Sequence, residues 1–161
     1  MSSVTSKVNI DTSGLSSIKK AFGKGGFVKV GVLGDNNSRD GDVINNAELG
    51  MVQEFGSPSK NIPPRSFLRM PLEAKKDEIE SVGKTQAFKT AIENGDIDLA
   101  LTLIGIKGEE IVDDAFTSSG FGQWDANRPS TVAKKGSSRA LIDTGELRRS
   151  ITSEVQSGKK S

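Results

Sequence analysis

The stretch "DIDLALTLIGIKGEEIVDDAF" (residues 96–116) constrains this chain more than any other. Ile97, Leu101, Ile104, Ile111, Val112 and Ala115 recur at helical spacing and line one face, and Asp96 stands where a side-chain cap belongs. This is the strongest helix in the sequence, so a core must be built on its apolar face. Apolar residues make up only 34% of the 161, and 18 are glycine. The core is therefore modest, a good part of the chain is loop, and one domain of ordinary size is expected.

The partner for that helix is an antiparallel sheet. In "FVKVGVLG" (27–34), Val28, Val30 and Val32 alternate with Phe27, Lys29 and Gly31, the period of a half-buried strand. "SITSEV" (150–155) repeats the pattern with Ile151, Ser153 and Val155. Between them, Asp42 is placed to cap a helix with apolar positions Val43, Ile44, Ala47, Met51, Val52 and Phe55, and Gly56 is placed to end it. Pro63 and Pro64 impose an extended approach, and a solvated helix follows through "LEAKKDEIESVGK" (72–84). The predicted class is α+β: a small antiparallel sheet packed on a long central helix, with extended loops and an N-terminal arm. The arm is residues 1–24, partly ordered by partners, with Leu15, Ile18 and Phe22 at helical spacing. Residues 25–156 form the single domain, and 157–161 a disordered tail.

Chemistry is bounded by what is missing. With no histidine and no cysteine, Ser-His-Asp and Cys-His catalysis, thiolate metal sites and disulfides are excluded. No stretch is apolar enough to span a bilayer, and the N-terminus lacks the apolar core of a signal peptide, so a cytosolic product is expected. "GDNNSRDGD" (34–42) fails as a calcium loop, because Arg39 takes a ligand position and Asn46 stands where the twelfth-position Glu is needed. "SGKKS" and "FGKGG" lack the context of a phosphate loop. No cofactor is expected.

The net charge of +1 gives no global basic field, but its distribution is uneven. Residues 1–72 hold nine basic against six acidic side chains, residues 73–114 five against eleven, and residues 115–161 eight against four. Glu109, Glu110, Asp113 and Asp114 cluster towards the C-terminal end of the long helix, where its dipole disfavours acids. They form either a solvated face or a surface for an arginine-rich partner; a magnesium site needs carboxylates converging from different elements.

Residues 117–139 change to Gly, Ser and Lys with one aromatic anchor, Trp124, a length that marks a functional or disordered loop. The proline-stiffened Arg65, Phe67 and Arg69 make sense if Phe67 tucks under its own domain or into a neighbour. In "IDTGELRRSI" (142–151), Asp143 or Thr144 can cap a short helix, Gly145 supplies the turn, and the arginines fall late in it. Asp143 is also a candidate to hold Arg148 by a bidentate contact.

Two blocks resemble a known family. "NNAELGMVQEFGSPSKNIPPRSFLRMPL" carries Glu54, Phe55, Gly56, Ile62, Pro63, Arg65, Phe67 and Leu68, with Pro64 inside the same run. "QWDANRPSTVAKKGSSRALIDTGELRRSI" carries Trp124, Thr131, Lys134, Leu141, Ile142, Asp143, Thr144, Gly145, Leu147, Arg148, Ser150 and Ile151. Together and in this order they resemble tailed-bacteriophage virion-morphogenesis, tail-completion or neck proteins. The resemblance implies a structural, non-enzymatic virion protein, assembled in the host cytoplasm as a homo-oligomeric ring joining head to tail. Its implied partners are head-closure or connector proteins, tail-terminator or tail-tube proteins, and genomic DNA in the channel without sequence readout; no membrane is involved. A tail-terminator ring is the near alternative. A carboxylate- and magnesium-dependent phage enzyme, or a DNA-binding module using Lys134, Lys135, Arg139, Arg148, Arg149, Lys159 and Lys160, are alternatives of another class. The interaction residues expected are Arg65, Phe67, Arg69, Trp124, Lys134, Lys135, Arg148 and Arg149, with Glu109, Glu110, Asp113 and Asp114 as the complementary acids.

Overall fold

Alternating valines produce the strand they predict: β1 (Gly26–Val32) pairs antiparallel with β2 (Ile151–Ser157). Val28 lies opposite Val155, Val30 opposite Ser153 and Val32 opposite Ile151, so the apolar positions of both strands share one face. Between the strands run α1 (Asn46–Phe55), α2 (Arg69–Ala74), α3 (Lys76–Ser81), α4 (Gln86–Glu93), α5 (Ile97–Thr117) and α6 (Glu146–Arg149). The computed structural model describes residues 25–37, 44–127, 129, 132–133 and 145–157. Over these residues the chain is α+β, a two-stranded antiparallel sheet packed on the long helix α5. The expected arm at 1–24 and the cap at Asp42 lie outside the described residues, as does the expected tail at 157–161 except for Ser157, which is the last residue of β2.

Helix α5 begins where the sequence places it, with the Asp96 carboxylate accepting the Leu99 N–H at 3.0 Å. Its contact with the sheet depends on residues that carry no apolar signal. A methyl at Gly105 would sit 2.6 Å from Ser153 Oγ and 3.0 Å from Val28 Cγ2, and one at Gly108 would sit 3.0 Å from Val30 Cγ2. The two glycines let the helix backbone come down onto the strand side chains. Ala100, Ile111, Val112, Ala115 and Phe116 are buried along the same helix, while Ile97, Leu101 and Ile104 are only half-buried.

Several local expectations are revised. Helix α1 is capped by Asn45 rather than Asp42: the Asn45 side chain accepts the Glu48 N–H, and Glu48 reaches back to the Asn45 N–H. Its buried residues are Asn46, Gly50 and Glu54; Met51 and Phe55 are 63% and 70% exposed. The expected helix 72–84 starts earlier and breaks at Lys75, whose ammonium bonds Glu78 at 2.7 Å and lies 5.3 Å from the Phe121 ring centroid. Helix α4 had no place in the sequence reading. Its cap is Thr85, and Ala91 is its buried contact. The core joins Phe67, Val112, Phe116 and Leu147, with Val30, Val32, Leu49, Leu68, Leu72, Trp124 and Ile151 packed around it.

Candidate functional site

The first quoted block folds around one carboxylate. Glu54, 8% exposed, accepts the Ser66 hydroxyl at 2.6 Å and the backbone N–H groups of Phe67, Leu68 and Arg69 at 2.8, 3.0 and 3.2 Å. Leu68 is the cap position of α2 and has no side-chain cap of its own. A glutamate thirteen to fifteen residues upstream thus supplies the negative charge and the acceptors that a helix start requires. Ser66 Oγ accepts the Met70 N–H at 2.9 Å, completing the arrangement.

The loop between Glu54 and Ser66 is shaped to return the chain to that carboxylate. Gly56 sits at φ 76°, and a methyl there would lie 2.8 Å from Pro64 N and 2.9 Å from the Ile62 carbonyl. No other residue fits that position without moving the Pro63–Pro64 segment. Ser57 and Ile62 form an isolated antiparallel bridge, and the Arg65 N–H donates to the Gln53 carbonyl at 2.7 Å.

The second block closes onto the first. The Arg65 guanidinium donates through Nε and Nη2 to the Asp125 carbonyl at 3.1 and 3.0 Å, and through Nη2 to the Ala126 carbonyl at 3.4 Å. Burial pulls the Arg65 pKa below its ordinary value, with Asp125 opposing that shift. Trp124 Nε1 donates to the Ser66 carbonyl at 3.1 Å, and its ring meets Phe116 edge-on at 5.9 Å, while Phe116 and Phe67 lie 5.3 Å apart. Gly120, at φ 66°, makes room for the tryptophan: a methyl there would sit 2.2 Å from Nε1. Leu147, from the "GELRR" run, is 3% exposed in the same core.

These placements correct the expected interaction list. Phe67 is 1% exposed and Arg65 8%, so both act inside their own domain, and Trp124 anchors the loop to that domain. Of the nominated residues in this block, Arg69 alone is on the surface, 3.5 Å from Glu73. The loop expected from 117 to 139 is tightly turned at its start: Gly120 N–H donates to the Ala115 carbonyl and Trp124 N–H to the Ser119 carbonyl.

At the other nominated corner, Arg148 reaches Asp113 of α5 with both Nε and Nη2, the latter at 2.7 Å from Oδ2. This is the bidentate contact expected for Arg148, made to Asp113 instead of Asp143. The pair holds the Asp113 carboxyl below its usual range and raises Arg148, the hydrogen bond being the larger cause for each. Gly145, in the left-handed conformation, takes the cap position of α6 and makes no side-chain cap bond. Asp143, Thr144, Lys134 and Lys135 lie outside the described residues, as do Arg139, Lys159 and Lys160. Arg149 is exposed, Glu110 pairs with Lys107 at 2.6 Å, and Asp114 is exposed. Among the described residues no group of three or more acidic side chains is placed to share a metal ion, and no helix is long and apolar enough to cross a membrane.

Comparison of the chain with protein-family models, with curated proteins and with solved structures finds no match.

Among the described residues, the surface left by this packing includes two grooves with no residue in common. One, of about 330 Å³, is lined by Val32, Ala47, Met51, Phe55, Leu68 and Arg69 over the Phe67 ring. The other, of about 320 Å³, is lined by Ile106, Glu109, Glu110 and the Asp113–Arg148 pair over Phe116. The first is apolar and the second largely polar; Phe67 lines the first and Phe116 the second, their ring centroids 5.3 Å apart.

Proposed function

We propose that this chain is a structural component of the head-to-tail connector of a tailed bacteriophage, acting as one subunit of an oligomeric ring. The observation that carries the reading is the meeting of the two quoted blocks. Glu54 holds the start of α2, Arg65 holds the Asp125 carbonyl, Trp124 holds the Ser66 carbonyl, and Leu147 completes the core with Phe67. Glu54, Arg65, Phe67, Trp124 and Leu147, all within the two blocks that resemble the neck and tail-completion family, are internal supports of one fold. Two short motifs that fold against each other favour a common design over a chance likeness.

The surface supports a structural role as well. On α5, Asp113 is engaged by Arg148 and Glu110 by Lys107, and among the described residues no group of three or more acidic side chains is placed to share a metal ion. Ile44, Met51, Phe55, Leu99 and Ile106 are large apolar side chains between 43% and 70% exposed, which suits a protein completed by neighbours. The test is a phage carrying a stop codon in the gene for this chain. The expected lysate holds filled or nearly filled heads alongside separate tails. Normal infectious particles lacking the chain would overturn the reading.

A further inference from the structure

We propose that copies of this chain associate head to tail, with the Leu99–Ile106 ridge of α5 in one copy seated in the Met51–Phe55 groove of the next. The inference rests on the ring reading and specifies its contact. Leu99 and Ile106 are seven positions apart on α5, so they stand on one face two turns, about 10 Å, apart. They are 46% and 53% exposed on a helix whose other faces hold the core. The groove that would receive them is apolar and walled by Met51 and Phe55, the most exposed of the large hydrophobic side chains.

Charge favours the same match. Arg69 stands at the edge of the groove, with an exposed side chain and a loose 3.5 Å contact to Glu73. Glu109 lines the surface next to Ile106 and has no ion-pair partner among the described residues. Seating the ridge in the groove brings Glu109 of one copy towards Arg69 of the next, which favours one register. The two surfaces share no residue: the groove lies over Phe67, and Ile106 of the ridge borders the second groove, over Phe116. A contact between unlike patches that the same neighbour does not return repeats from copy to copy and closes into a ring or runs on as a filament. A two-fold dimer satisfies it only by seating both ridges in both grooves at once, and a double variant with Met51→Cys and Ile106→Cys then stops at a dimer.

The chain contains no cysteine, so the contact can be read by disulfide trapping in the full-length protein. Met51→Cys and Ile106→Cys are surface changes, and circular dichroism of each variant confirms folding. Mixing the two single variants under mild oxidation should give a mixed disulfide dimer in preference to either like pair. The double variant should give a ladder of covalent oligomers. A dominant Met51→Cys like-pair dimer would overturn the proposal in favour of a two-fold contact. A disulfide within one chain between Met51→Cys and Phe22→Cys would overturn it by assigning the groove to the chain's own N-terminal segment. Absence of any cross-link, with a monomer by native mass spectrometry, would overturn it outright. Ile106→Asp should weaken association about tenfold or more, since a central apolar anchor is lost. The two readings fail separately: trapping that succeeds for a protein dispensable to virions leaves the contact standing without the phage role. A virion defect without trapping leaves the role and moves the contact elsewhere.

Discussion

Replacing Glu54 tests whether one carboxylate holds the two blocks together. In Glu54→Ala four donors lose their acceptor: the Ser66 hydroxyl and the N–H groups of Phe67, Leu68 and Arg69. The Phe67 N–H is buried and finds no water, a cost of about 1–3 kcal/mol. The other three are partly buried and regain some hydration, so each forfeits about 0.5–1.5 kcal/mol. The expected sum is roughly 2.5–7.5 kcal/mol, a large share of the ~5–15 kcal/mol available to a typical domain. Glu54→Gln keeps one acceptor oxygen and loses the charge at the helix start, and should cost about half as much. Urea unfolding followed by circular dichroism reads both, and the single Trp124, bonded to the Ser66 carbonyl, reports the same corner by fluorescence. A loss below about 1 kcal/mol for Glu54→Ala would refute the assignment of Glu54 as the cap of α2.

Gly105→Ala should destabilise by about 1–3 kcal/mol although alanine is the better helix former, because its methyl meets Ser153 Oγ at 2.6 Å. A double-mutant cycle with Ser153→Gly should show positive coupling in urea unfolding; simple additivity would contradict the close approach. Gly120→Ala should push Trp124 off Phe116 and shift its fluorescence to longer wavelength, and an unmoved spectrum would count against the packing. Asp113 has a folded pKa held below its unfolded value by Arg148, so its stabilisation is present above about pH 4 and is lost as pH falls through the depressed value. Accordingly, Asp113→Asn should cost no more than about 1 kcal/mol near neutrality, given the exposure of the pair, and its deficit should disappear at the acid end of a pH series.

The elements with a strong local signal were legible in the sequence. The valine alternation fixed β1 and its face, Ile151, Ser153 and Val155 fixed β2, and Asp96 with its apolar face fixed the start of α5. In each case the residue carries the information itself, as a period or a cap. The antiparallel sheet on a long helix followed, because the strands' apolar face and the longest apolar helix face bury one another.

What only the tertiary structure decided involves partners distant in sequence. Nothing local distinguishes a glutamate that ends a helix in solvent from Glu54, whose carboxylate crosses to residues 66–69 to start another helix. Gly105 and Gly108 read as weak points of a helix until the strand side chains of Val28, Ser153 and Val30 stand above them. Arg148 had a carboxylate nearby in sequence at Asp143 and another thirty-five residues away at Asp113; the fold brought the second within bidentate reach. Of the two places open to Phe67, its own domain or a neighbour, the fold took the first, and Met51, expected on the apolar face of α1, stands at the surface for the same reason. A hydrophobic side chain has no preferred partner of its own, so the close-packed geometry alone set Phe67 against Phe116 in the core and left Met51 at the surface.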